Sequence, residues 1–438
     1  MLNFIKAHIC TIKFFRYVLI IFLIVPPCTI HLGPNEFHNP NEESESVGLN
    51  YLISNDLSEF SGSNFIEKEA NGFLQQWNLA GMTMSIVKDG KLVYAQGFGY
   101  SDIEARQQVS PGNLFRVASV SKLITAVAIM KLVEKKLITL DSKVFGPDAI
   151  LKDPVFNSVV DKRLYNITIR QLLAHSGGWS LHYGDPAFNS LVVLERTGEK
   201  GAATMDSYCR FVATRKLHFE PGTRSSYSNM GYMFLGKVIN AVTGRKYEDF
   251  VRKEVLIPAG ISDMHMGRSY LSGRRINEVK YYESEESPMI PAFDGSSTLV
   301  PKPYGGNPIE LLGPAGGWIA SSVELAKLLV LIDDFKNVPD MIPQSLINQM
   351  VEEDDLRGPL GWKAVKKNGD WIRTGSMAGT SAIMKRQSNG FSWVVVINSS
   401  SWKGPRLPAY INYMMGKIEK NLSNWPKHDL FKYVPEKL

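Results

Sequence analysis

Ser119 and Lys122 stand three residues apart in the stretch Phe115 to Lys136, FRVASVSKLITAVAIMKLVEKK. Positions three apart on a helix share a face, so the hydroxyl and the amine can meet. A serine hydroxyl becomes a useful nucleophile only with a base beside it. A lysine desolvated among apolar neighbours gives up its proton more readily, because burial disfavours the charged form. The positive end of the helix dipole and the first-turn N–H groups would favour an oxyanion formed on attack. The pair therefore points to acyl transfer. Four letters with two wild cards make a short motif, so the reading needs further groups.

Those groups follow along the chain. Tyr227-Ser228-Asn229 comes after the Pro221-Gly222 turn and reads as a loop. A loop tyrosine usually packs or makes a surface contact. Beside a Ser/Lys pair it could shuttle protons, provided positive charge lowers its pKa from about 10. His175, in AHSGGW, has two readings: a catalytic base, or a histidine that ties a Gly turn to its surroundings. The second is preferred, because single histidines more often serve structure. His182 and Asp185 in the next loop lack metal-ligand spacing. The chain holds no H-E-x-x-H motif and no Cys/His cluster, which argues against a metal-dependent hydrolase and predicts no metal or other cofactor.

These residues need a scaffold. The run from Leu123 to Val133 is apolar on nearly every side, which predicts a buried helix. It is too short and too closely followed by charge to span a bilayer. Met82 to Val87 and Lys91 to Gln96 flank Asp89-Gly90, a hairpin pattern, and Gly97 and Gly99 then interrupt it. Ser101 to Asn113 reads as loop. Helix periodicity marks Phe65 to Trp77, Ile167 to Leu173, Tyr232 to Val242, Ser322 to Leu331 and Pro408 to Leu422. LLGPAGGWI, from Leu311 to Ile319, reads as a Gly-rich turn. Residues 262–310 are a long polar excursion. Trp371 to Gly375, Thr380 to Lys385 and Phe391 to Asn398 read as strands, the last two joined by Ser388-Asn389-Gly390. No repeat of fixed period is visible.

Ser119-x-x-Lys122, Tyr227-x-Asn229 and Arg373-Thr374-Gly375 thus occur in that order, the last ahead of a terminal strand hairpin. Together with FRVASVSK, ITIRQLLAHSGGW, PGTRSSYSN and LLGPAGGW, this resembles the serine β-lactamase and penicillin-binding-protein superfamily, in its class C β-lactamase, carboxypeptidase and esterase branch. The resemblance covers roughly residues 65–420. It implies an α+β fold: an antiparallel sheet built from both chain ends, flanked by helices, with a mostly helical insert at roughly 116–310. It implies that Ser119 attacks an acyl carbon, and that Lys122 and Tyr227 transfer protons, Tyr227 activating the deacylating water. Asn229 would position Lys122 and substrate, and the backbone N–H groups of Ser119 and Ser376 would bind the oxyanion. Arg373, Thr374 and Gly375 would contact substrate. The family usually has Lys or His where this chain has Arg373, which keeps the charge and binds carboxylates bidentately but transfers no proton near neutral pH. The resemblance implies a serine hydrolase working through an acyl-enzyme on an ester, amide, peptide or lactam. The alternative is a weakly catalytic relative that binds or scaffolds.

The bulk properties agree with such an enzyme. With 438 residues, 44% hydrophobic and 21% charged, the chain is an ordinary globular protein rather than a disordered one. Its net charge is +6, and Lys6, Lys13 and Arg16, with no acid, supply half of that in residues 1–28. The remainder does not suggest nucleic-acid binding; the expected partner is a small-molecule or peptide substrate. Residues 1–28, basic and then apolar from Tyr17 to Val25, read as a signal peptide or signal anchor, giving a secretory-pathway or membrane-anchored address. The expected organisation continues with a linker at 29–60, a catalytic domain at 61–420 and a tail at 421–438. Without the leader only Cys209 remains of three cysteines, which excludes an internal disulfide framework. Sequons begin at Asn166, Asn398 and Asn421; Asn398 ends a strand that reads as buried and is the poorest acceptor.

Overall fold

Alternation of apolar residues along the terminal strands sets the architecture. The computed structural model describes residues 48–435, apart from residue 285 and residues 353–357. The reading of residues 1–28 as a leader lies outside the described residues. Seven strands form one sheet in the order Gln107–Gln108, Lys91–Asp102, Gly81–Lys88, Phe391–Ile397, Thr380–Arg386, Trp371–Met377 and Ala364–Val365. Every neighbouring pair is antiparallel. The N-terminal hairpin thus pairs directly with the C-terminal hairpin, Met82 opposite Ile397 and Lys88 opposite Phe391.

Side chains alternate across a sheet, so both faces of these strands must be covered. Met82, Met84, Ile86, Trp393, Val395 and Ile397 lie in one apolar cluster with the helices Ser63–Trp77 and Leu407–Asn421. Val394 and Val396 point the other way, into the larger core. This explains the nearly continuous apolar run at Phe391: the strand is buried on both sides. Among the larger core's contributors is the helix Ser121–Glu134, in which every residue from Ser121 to Met130 is buried. It is a core helix, as its all-round apolar pattern requires.

Several elements differ from the sequence expectation. The second strand does not stop at Gly97 but runs on to Asp102. A Cβ at Gly97 would lie 2.3 Å from the Val109 carbonyl oxygen, so glycine here permits a close backbone approach instead of ending the strand. LLGPAGGWI is not a turn: Ile309–Gly316 is a helix and Trp318–Ala320 a strand. Asn229 is the first residue of the helix Asn229–Thr243, whose first turn is capped by Ser228 Oγ accepting from the Gly231 N–H at 3.1 Å. Where the expected linker is described, Asn50 and Ile53 are buried, and the Asn50 amide donates to Asp263 and Glu324. Asn398 is buried too, its amide donating to the Tyr100 and Lys280 carbonyls, which leaves no room for a glycan.

Candidate active site

Ser119 sits in a single 3-10 turn, Ala118–Val120, immediately ahead of the core helix. Ala118 holds φ at +46°, a left-handed conformation unfavourable for a residue with a Cβ. The turn is held from both sides: the Val117 N–H donates to the Trp318 carbonyl at 3.0 Å, and Arg373 Nε donates to the Ser119 carbonyl at 2.7 Å. The outcome is a partly exposed hydroxyl on a rigid base.

Lys122 lies one helical turn on and is completely buried. Its Nζ donates to Asn229 Oδ1 at 2.6 Å, to the Ala315 carbonyl at 2.6 Å and to Ser119 Oγ at 3.2 Å. Three acceptors use all three protons of an ammonium group. Burial, opposed by Tyr227 and reinforced by Arg373, lowers its pKa to about 8. The Ala315 carbonyl belongs to the last turn of the helix Ile309–Gly316, where carbonyls lack intrahelical partners and the dipole is negative. The neighbouring Pro314 carbonyl accepts from Thr125 Oγ1 at 2.7 Å, which docks this helix end against the core helix.

Tyr227 brings its hydroxyl to 2.5 Å from Ser119 Oγ. Lys122 Nζ stands 4.8 Å from the centroid of its ring. Burial alone would raise the Tyr227 pKa. The charges of Lys122 and Arg373, with the hydrogen bonds at its oxygen, outweigh that and hold it below the ordinary tyrosine value. Since Ser119 Oγ already accepts from Lys122, its own proton is free to point at the Tyr227 oxygen. His175 does not meet Ser119. Its Nδ1 accepts the Ser228 N–H at 3.2 Å, its carbonyl accepts the Ser226 N–H at 2.8 Å, and its ring lies 4.6 Å from that of Tyr227. Burial, then Lys122 and Arg373, push its pKa well below the usual histidine range. A neutral ring that accepts from the backbone places the Tyr227 loop.

The strand Trp371–Met377 completes the site. A Cβ at Gly375 would fall 2.3 Å from the Val117 carbonyl oxygen and 2.9 Å from the Ser119 nitrogen, so only glycine lets the strand pass this close to the Ser119 turn. On its outer edge the strand is paired only at Trp371 and Ile372, and the Ile372 carbonyl accepts the Lys363 N–H there. Backbone groups alternate from edge to edge, so the Ser376 N–H, four residues on, points to the same open edge. Thr374 lies between. Arg373 is buried, and its Nη2 has no partner among the described residues.

Two contributors escaped sequence reasoning. Asp185 Oδ2 accepts from the Asn229 side-chain amide, which fixes that amide with its oxygen toward Lys122. Asp185 Oδ1 accepts the Ala187 N–H at 3.1 Å. No spacing linked Asp185 to Asn229, 44 residues away. The Ala315 carbonyl lies in LLGPAGGWI, whose glycines and proline mask the helix end. The helix start after Pro308 with Glu310 in the first turn was the available signal.

Residues 66–413 match the family model described as Beta-lactamase. Protein flp of Staphylococcus aureus (strain COL) is 25% identical over 346 residues, which are 77% of this chain and 64% of that protein. The chain therefore spans somewhat less than two thirds of that curated relative. The octameric penicillin-binding protein homologue from Pyrococcus abyssi superposes with a TM-score of 0.60 at 24% identity, over 82% of this chain and 79% of its own. The D-amino acid amidase from Ochrobactrum anthropi SV3, complexed with L-phenylalanine amide, gives 0.64 at 18% identity, over 83% of this chain and 100% of its own. These likenesses establish the α+β fold.

Proposed function

The chain belongs to the β-lactamase family, and from that premise we propose that it is a serine hydrolase acting through an acyl-enzyme formed on Ser119. The observation that carries this reading is the hydrogen-bonded set Tyr227–Ser119–Lys122–Asn229, assembled from two chain segments more than a hundred residues apart. A nucleophile, a proton acceptor and a buried cation in mutual contact are the parts that acyl transfer needs.

The direction of the hydrogen bonds suggests the order of events. Lys122 donates to Ser119 Oγ, so the serine proton passes to the Tyr227 oxygen as Ser119 attacks the acyl carbon. The charges of Lys122 and Arg373 favour the phenolate form, which suits Tyr227 to act as the base. The oxyanion would sit between the Ser119 and Ser376 N–H groups, with Gly375 allowing their approach. Tyr227 then returns its proton to the leaving group, takes one from the water that attacks the acyl-serine, and passes it to Ser119 Oγ as the acyl–oxygen bond breaks. Arg373 is buried behind the Ser119 turn and contributes its positive charge rather than an exposed donor. Esters, amides and lactams all contain the carbonyl this machinery addresses; fold does not choose among them.

The test is a chromogenic β-lactam and a short-chain nitrophenyl ester given to wild type and to Ser119→Ala, with intact mass recorded. Turnover or a covalent adduct that disappears in Ser119→Ala is the expected result. Neither turnover nor adduct with either probe would refute the hydrolase reading and favour a binding or scaffold role.

A further inference from the structure

A cavity of about 450 Å³ opens beside Tyr227, which forms part of its wall. Apolar and aromatic side chains contribute most of its surface, Trp179, Tyr183, Phe211 and Met230 among them. Its charges are one-sided. Arg196, Arg215 and Lys216 line it, all exposed, and none has an ion-pair partner among the described residues. The nearby Glu199 is taken by Arg210. The single carboxylate in the lining, Asp185, has both oxygens engaged by Asn229 and the Ala187 N–H. His218 also lines the cavity; its Nδ1 accepts the Ser180 N–H at 2.9 Å, and burial followed by Arg224 lowers its pKa, so it adds no charge near neutral pH.

A plainer account exists for part of this. Arg196 lies in the last turn of the helix Ser190–Thr197, where a cation offsets the helix dipole. Arg215 and Lys216 lie beyond the end of the helix Met205–Ala213, and the Arg215 guanidinium stands 5.8 Å from the centroid of the Phe211 ring, over the cavity wall. Two separate segments thus bring cations without carboxylate partners among the described residues to one cavity beside Tyr227.

We infer that this cavity is a substrate subsite for an aryl or alkyl group that ends in a carboxylate. The apolar and aromatic side chains take the apolar body, and the exposed cations of the lining take the anion. This deepens the hydrolase reading and rests on it for calling the ligand a substrate. It is distinct from Arg373, which stands at the Ser119 carbonyl.

The test compares two ligands of one shape, 4-phenylbutyrate and the neutral 4-phenylbutyramide, by calorimetry on the full chain carrying Ser119→Ala. Because that variant is not asked to turn over, the outcome does not depend on catalysis. The carboxylate is expected to bind about tenfold more tightly, the order that a few solvent-screened cations can supply, and added salt should erode the difference. Adding Arg196→Glu and Arg215→Glu should abolish the preference while leaving the amide's affinity unchanged. Both sites are exposed, and an unchanged melting temperature will confirm that the fold is kept. Equal affinities in the parent, or no binding of either ligand, would overturn the inference. A preference that survives the double charge reversal would overturn it as well, by assigning the anion to Arg373. Failure of the hydrolase reading would show itself separately, as wild type without ester or lactam turnover.

Discussion

Replacing Tyr227 by phenylalanine removes one oxygen and little else. The ring keeps its place against His175, at 4.6 Å between centroids, and the loop keeps its backbone bonds to His175. What disappears is the 2.5 Å partner of Ser119 Oγ. If the Tyr227 oxygen takes the serine proton, the loss is that of a general base, about 10²–10⁴-fold in kcat, or roughly 3–5 kcal/mol of barrier. Stability should move far less. One hydrogen bond is worth about 1 kcal/mol, and the buried phenol no longer pays for desolvation. The assay is ester hydrolysis under saturating substrate, with a pre-steady-state trace to separate acylation from deacylation, and thermal melting in parallel. Wild type should lose activity as pH rises through about 8, where Lys122 gives up the proton that the assembled site uses. In Tyr227→Phe the residual activity should fall at lower pH, because the tyrosine's negative charge supports protonation of Lys122. A rate within about threefold of wild type, or a wild-type rate that rises through pH 8, would refute this and make the neutral Lys122 amine the base.

Asp185→Asn removes a charge that favours protonation of Lys122 and an acceptor that orients Asn229; the alkaline limb of the rate profile should shift to lower pH, with kcat reduced more than KM is raised. Gly375→Ala forces a Cβ to within 2.3 Å of the Val117 carbonyl oxygen; displacement of the strand should cost about 1–3 kcal/mol of stability and at least roughly 100-fold in activity, read by denaturant titration and ester hydrolysis. Glu324 is buried, and burial raises its pKa to about 7, above the unfolded value, so folding favours its protonated form. Its contribution is present at low pH and is lost as pH rises toward 7, because the folded state holds the proton that the unfolded state releases first. Glu324→Gln should flatten the fall in stability between about pH 4.5 and pH 7 relative to wild type, as checked by melting across that range.

The order Ser119-x-x-Lys122, Tyr227-x-Asn229, Arg373-Thr374-Gly375 was legible because each motif is local. Residues three apart meet on a helix whatever the rest of the chain does, and the alternating or all-round apolar runs carry their own burial pattern. The hairpins at Asp89-Gly90 and Asn389-Gly390 and the core helix after Ser121 follow from that, as does a sheet made of both chain ends once the family resemblance is granted. Elements written with glycine and proline were read less well. LLGPAGGWI holds the end of a helix, whose final carbonyls hold Lys122 and Thr125, and the start of a strand, and the strand through Gly97 and Gly99 runs on, because close packing against distant backbone stabilises what local propensity disfavours. Asp185 became visible only in three dimensions, since its partner Asn229 lies 44 residues further along. The same holds for the cations around the aromatic cavity, which come from two segments with no common pattern. The sequence alone determined which groups the chain owns and which local pairs they form. The tertiary structure decided their protonation, because burial of Lys122 and the joint field of Lys122 and Arg373 on Tyr227 exist only after residues more than a hundred positions apart are packed together.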